Sequence, residues 1–174
     1  MSQMPVAYDI RAARCTIHDR AAFLRDLQAI AAGYDTHIIC FNADVIAGRA
    51  HAAMAVALAV RAFQEGAAIS NTLEMEALLF ASGSRQCSIA AAFGVHEGEN
   101  RLFVCCFPAR EPIWAALVPL LQFTDENWDV VDPKKRAILM MMFMISPEEI
   151  AAAGRDDRIV DLVLERVALL QFMR

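Results

Sequence analysis

Four histidines, two closely spaced glutamates and five cysteines are the residues whose types could do chemistry in this chain. The histidines (His18, His37, His51 and His96) are scattered, and none stands in a His-Glu metal helix. Glu74 and Glu76 are two apart, so on a helix they point ~200° away from each other and cannot work as a catalytic carboxylate pair. Glu74 reads most simply as a capping residue. Glu76 stands among Met75, Ala77 and Leu78, where a carboxylate needs a partner, and Arg85 is the local candidate for a structural ion pair. The cysteines (Cys15, Cys40, Cys87, Cys105 and Cys106) are odd in number, with no Cys-x-x-Cys spacing and no paired His. They read as reduced, buried thiols of a cytoplasmic protein, not as a disulfide frame or a zinc site. A nucleotide-binding glycine loop and a nucleophile elbow are both absent from the sequence. We therefore expect no catalytic residue, no metal site and no cofactor. The competing reading is a small α/β enzyme using His51 or His96 with Glu76, which requires a closed pocket where those side chains converge. For His51, one turn into a long helix, the plainer reading is a hydrogen-bonded core histidine.

Binding chemistry has better candidates. Asn71-Thr72 and Ser84-Arg85-Gln86 each read as a helix start, with free backbone amides and partial positive charge, and Arg85 adds a full charge beside the second. Such a corner suits a phosphate, and an apolar shoulder such as Ile69 suits a base. A helix-turn-helix does not fit, because the second helix, Arg85 to Phe93, holds one Arg followed by Cys87, Ile89 and alanines and cannot read a groove.

The elements that must position these residues come from periodicity. A chain of 174 residues is expected to form one domain. Its hydrophobic fraction of 57% and mean hydropathy of +0.37 exceed those of ordinary soluble chains. The longest apolar runs, Ala52 to Val60 and Ala137 to Ile145, are far shorter than the ~20 residues of a spanning helix, so the excess predicts a partner instead. The N-terminus has no apolar core and does not read as a secretory signal.

Tyr8 to His18 reads as a strand, and Asp19 caps a helix whose apolar face is Ala22, Phe23, Leu27, Ile30 and Ala31, stopped at Gly33. His37 to Phe41 suits a strand buried on both faces. Asn42 and Asp44 end it and offer caps for a buried helix from about Gly48 to Glu65. A capping box of Asn71 and Glu74 opens the next helix, and Gly83 stops it. His96 to Asn100 reads as a polar loop, Arg101 to Phe107 as a strand, and Ile113 to Phe123 as a helix kinked at Pro119. Lys134 to Ile145 is helical, Ser146-Pro147-Glu148-Glu149 is a strong helix start, and Asp156 to Met173 is the last helix, with Ile159, Leu162, Val163, Val167 and Leu170 on one side. The fold class is α/β (α+β): a small mixed or antiparallel sheet packed against several helices.

The run AILMMMFMI holds four methionines, an adaptable surface of the kind that grips a partner, and the last helix carries an apolar stripe. These two elements are the expected protein interface.

Three stretches carry a resemblance: FNADVIAGRAHAAMAVALAVRAFQEG, ISNTLEMEALLFASGSRQCSIAAAFGV and RLFVCCF. Together with the Phe-x-Ile-Ser-Pro-Glu-Glu start near the C-terminus, they resemble the kinase-binding small subunit of the KEOPS complex, the PRPK-binding protein family. The resemblance implies a non-catalytic accessory subunit of a complex that makes threonylcarbamoyladenosine in tRNA. Such a subunit binds the N-terminal lobe of the complex's atypical kinase/ATPase and helps hold tRNA through its single-stranded CCA end. Carried onto this chain, the RNA contact would lie around Asn71, Thr72, Ser82, Gly83, Arg85 and Gln86, with Arg49 and His51 beside it. The kinase contact would lie on Ile145, Ile159, Leu162, Val163 and Arg166. The departure is charge: the chain has two lysines, Lys134 and Lys135, and a net charge of -5, which implies weak RNA affinity on its own. A purely structural kinase-activating adaptor is the other reading, and an isolated chain would have apolar surface that a second copy could cover.

Overall fold

The computed structural model describes residues 8–154 and 158–173. Strand β1 (Asp9–Ile17) is followed by α1 (Arg20–Gly33), β2 (His37–Asn42), α2 (Arg49–Gln64), α3 (Leu73–Ser82), the single turn α4 (Cys87–Ala90), β3 (Gly98–Phe107), α5 (Ile113–Leu117), β4 (Gln122–Phe123), α6 (Pro133–Met142), α7 (Pro147–Ala153) and α8 (Ile159–Leu169). The strands form one sheet in the order β2-β3-β1-β4, and every neighbouring pair is antiparallel. Of the two sheet types expected, the mixed one is therefore not formed.

Both faces of the sheet are covered, which is why β2 and β3 read as continuous apolar runs without alternation. Ile39, Phe41, Phe103 and Cys105 face the larger core with α2, α3, α6, α7 and α8. Ile38, Cys40, Leu102, Val104 and Cys106 face the smaller one with α1 and α5. Among the described residues no helix is long and apolar enough to cross a membrane.

Several elements differ from their sequence reading. β3 begins at Gly98, because Gly98, Glu99 and Asn100 pair with Ile17, Thr16 and Cys15; cross-strand pairing outweighs their weak strand propensity. The helix at Ile113 ends at Leu117: the amides of Leu120 and Leu121 both turn back to the Leu117 carbonyl, and residues 122–123 join β1. The Asp156 start of the last helix lies outside the described residues, and α8 runs from Ile159 to Leu169 before a 3-10 turn at Leu170–Phe172. Neither Asn42 nor Asp44 caps α2. Gly48 holds that position, and Asp129 Oδ1 accepts the Arg49 amide at 2.5 Å. A Cβ on Gly48 would sit 2.9 Å from that oxygen, so a larger residue would have to push the Asp129 side chain aside.

Helix α3 is buried on most sides, and its polar residues are all tied down. Thr72, not Asn71, is the cap, its hydroxyl accepting the Met75 amide at 3.2 Å. Glu74 does not cap the helix; it meets His37 Nδ1 at 2.7 Å, clipping α3 to the edge strand β2. Glu76 is 0% exposed, and Arg85 is not its partner. Its carboxylate accepts the amides of Ile69 and Ser70 and the Ser70 hydroxyl at 2.9–3.2 Å, so a side chain closes the α2–α3 connection from inside. Deleting it leaves the part-buried amides of Ile69 and Ser70 without their acceptor. Glu76→Ala should therefore cost on the order of 3 kcal/mol in urea unfolding, and hydrogen exchange should quicken at Ile69 and Ser70. A loss below about 0.5 kcal/mol would mean that these bonds do not hold the connection.

Candidate functional site

The turn after α3 is built from hydrogen bonds that leave its outer side free. Gly83 takes φ +62°, the left-handed conformation that ends the helix and that residues with a Cβ adopt with strain. Ser82 is buried; its hydroxyl donates to the Leu79 carbonyl at 2.8 Å and accepts the Ser84 amide at 3.2 Å. The Ser84 hydroxyl accepts the Gln86 amide at 3.1 Å. Arg85 and Gln86 are exposed, and Arg85 Nη1 donates to the Met173 carbonyl at 2.7 Å. The helix expected from Arg85 to Phe93 is four residues of α4 and a 3-10 turn, so its dipole is small.

The two helix starts do not converge. Asn71-Thr72 and Ser84-Arg85 flank the ten residues of α3, a separation of about 15 Å. Asn71 is exposed and, with Thr72, rims a cleft of about 380 Å³ lined by Val60, Phe63, Leu73 and Phe107.

His51 is 0% exposed and both ring nitrogens are taken. Nδ1 accepts the Ala47 amide at 3.0 Å, which leaves Nε2 to donate to the Ala81 carbonyl at 2.8 Å. Burial lowers its pKa to about 4, the Ala81 bond opposing the shift. It is a neutral tie between the start of α2 and the end of α3, and it has no ring atom to offer RNA. Arg49 is exposed, with its guanidinium on the Ile10 carbonyl at 2.6 Å. Of the two lysines, Lys135 is buried and donates to the Trp128 carbonyl at 2.7 Å. Lys134 is left as the exposed one, which lowers the surface positive charge further.

The residues of the enzyme reading do not converge. His51 bonds to Ala47 and Ala81, Glu76 to Ile69 and Ser70, and the exposed His96 to the Glu97 carbonyl at 2.8 Å. None of the cavities described is lined by any of the three. Among the described residues no group of three His, Cys, Asp or Glu could hold a metal ion.

On the C-terminal elements, Ile145, Ile159 and Val163 face inward and are 4% exposed or less. Leu162 is half-buried at the surface of α8. Arg166 is a clamp: Nε donates to the Phe143 carbonyl at 2.7 Å, and Nη2 to Glu149 Oε2 at 2.8 Å. The same guanidinium holds the Glu149 carboxyl below its usual range. The apolar side chains of these elements that are more than half exposed are Met141, Met144, Leu169, Phe172 and Met173. Leu169, Phe172 and Met173 were missed by the sequence reading, although a signal was there: once the stripe of Ile159, Val163, Val167 and Leu170 is buried, these apolar side chains are left over on the other side of α8 and its final turn. The Arg166 clamp and the Arg85–Met173 contact join residues far apart in sequence and had no signal.

The model of a family described as kinase binding protein CGI-121 matches residues 17–171, most of the chain. No curated protein matches it.

His51 makes stability depend on pH. Between pH 6.5 and about 4 the unfolded chain takes up a proton on this ring that the folded chain refuses. Its contribution is therefore fully present above pH 6.5 and is lost as pH falls through that window, by roughly 3 kcal/mol in all. Urea midpoints measured from pH 7 to pH 4 should show this slope, and His51→Gln, though less stable at pH 7, should flatten it; an unchanged slope would mean that His51 takes up its proton as readily in the fold as in the unfolded chain.

Proposed function

The chain belongs to the kinase-binding protein CGI-121 family, and on that premise we propose that it is the non-catalytic accessory subunit of a KEOPS complex acting in tRNA threonylcarbamoyladenosine synthesis. Its partners are then the complex's atypical kinase/ATPase subunit and the CCA end of tRNA, in the cytoplasm. The observation that carries the kinase half is the apolar surface of α6, α8 and the final turn: Met144 is 85% and Phe172 79% exposed, next to a rigid base set by the Arg166 clamp. Exposed methionine and aromatic side chains on a firm support are a common makeup for a protein–protein hot spot. Leu162 and Arg166 belong to this surface. Ile145, Ile159 and Val163 shape it from beneath.

For the RNA half, the support is the turn Ser82–Gln86. Arg85 and Gln86 project from it, and Ile89, also exposed, offers a shoulder on which a base can pack. Asn71 and Thr72, about 15 Å away, would touch a separate nucleotide or none. Arg49 stands at the start of α2, which the His51 tie brings beside the end of α3. With one exposed lysine and a net charge of -5, the chain contributes specificity for a single-stranded end, and the rest of the complex contributes most phosphate contacts.

Co-purification with the kinase, followed by RNA shift assays, tests both halves. Phe172→Asp should weaken kinase binding at least tenfold while leaving the fold intact, since the side chain is outside the core; retained binding would move the interface elsewhere. Arg85→Glu in the assembled complex should weaken binding of full tRNA and have little effect on tRNA lacking its CCA end. If it weakens neither, the chain is an adaptor without an RNA contact.

A further inference from the structure

At the start of α6 a lysine ammonium is buried with most of its hydrogen-bonding capacity unspent. Asp132 caps this helix by accepting the Lys135 amide at 2.8 Å, which fixes the first turn and sets Lys134, Lys135 and Ile138 on neighbouring positions of one side. Lys135 is 8% exposed, and its Nζ donates to the Trp128 carbonyl at 2.7 Å. An ammonium has three N–H groups, so two are left, and among the described residues no second acceptor is bonded to them. Burial lowers the pKa to about 8, with the charges of Asp129, Asp44 and Asp132 opposing the shift and that of Arg101 adding to it. At pH 7 the group is still charged.

Lys135 borders a cavity of about 520 Å³ whose apolar side is formed by Trp128, Val130 and Ile138. The carboxylates there are already engaged. Asp44 accepts the Arg101 guanidinium, with Nε at 2.9 Å, and Asp132 holds the Lys135 amide. Asp129, close by, accepts the Arg49 amide. Arg101, Lys134 and Lys135 against Asp44 and Asp132 leave one net positive charge on the lining. A volume of this size with an apolar wall and a few polar groups is typical of a small-molecule site. A buried cation with spare donors is best served by an anion, since such hydrogen bonds are the strong ones. The single net charge matches a carboxylate better than a phosphate monoester, which carries nearly two negative charges at neutral pH.

We propose that this cavity binds a small organic carboxylate, its charged group on Lys135 Nζ and its apolar body against Trp128 and Ile138. The site shares no residue with the turn Ser82–Gln86 or with the exposed apolar group of Met141, Met144, Leu169, Phe172 and Met173, so it stands or falls independently of the proposed function.

Isothermal titration of the full chain at pH 7 with benzoate, benzamide and inorganic phosphate tests it. Benzoate should bind with a Kd of about 1 mM or tighter, as expected for a ligand of its size. Benzamide keeps the shape without the charge, and phosphate keeps the charge without the apolar body; both should bind at least tenfold more weakly. Lys135→Met should weaken benzoate at least tenfold. Because this variant also removes the tie to Trp128, a second measurement uses the unaltered chain: benzoate affinity should hold from pH 6 to pH 7 and fall at least tenfold by about pH 9.5, as Lys135 gives up its proton. The site is overturned by no benzoate binding up to about 10 mM, by benzamide or phosphate binding as tightly as benzoate, by an affinity that does not fall with rising pH, or by unchanged affinity in a folded Lys135→Met chain.

Discussion

Everything this chain presents outward depends on how α3 is held in the dry interior. Three polar side chains fix it at three points: Glu76 gathers the backbone of Ile69 and Ser70 at its start, Glu74 meets His37 on the edge strand, and His51 bonds the Ala81 carbonyl near its end. The Glu76 carboxylate and the His51 ring are both fully buried, so each needs its partners inside the fold. With α3 fixed, the Gly83 turn has one place to go, against Phe143 and Arg166. The residues past it then face solvent beside the final turn of the chain.

The consequence is a division between an inner set of polar groups that hold and an outer set that can bind. His51 and Glu76 look like chemistry in the sequence and, like the buried Lys135, are internal ties in the fold. Arg85, Gln86 and the leftover apolar side chains of α6 and α8 are the surface. The excess hydrophobicity has two sources. Most of it is a sheet covered on both faces, which needs two cores in place of one. Part of the remainder is exposed Met141, Met144, Leu169, Phe172 and Met173, which fits a family of kinase-binding proteins, and Val118 and Val130 are exposed elsewhere.

Much of the architecture was legible because periodicity and caps are local. Asp19 and Ser146 cap their helices where the spacing puts them, and β2 reads as a strand buried on both faces. What was not legible depends on tertiary partners. Gly98 to Asn100 looks like loop until β1 lies beside it, and the helix expected through Phe123 is cut because residues 122–123 are claimed by the same strand. The Asn71–Glu74 box is locally sound, but the competing bond to His37 takes Glu74 away and Thr72 becomes the cap. At the candidate site, the turn around Gly83 could be read from residue types. The burial of Ile145, Ile159 and Val163 could not, since an apolar stripe looks the same whether a core or a partner covers it.

Hydrogen exchange on the full chain, alone, with kinase and with a CCA-ended oligonucleotide, tests the division between inner ties and outer grips most directly. Kinase should slow exchange in peptides covering residues 139–145 and 162–173, and the oligonucleotide in peptides covering 82–89, with α1 and α5 unchanged. Protection by either partner concentrated on the α1–α5 side of the sheet would contradict the account.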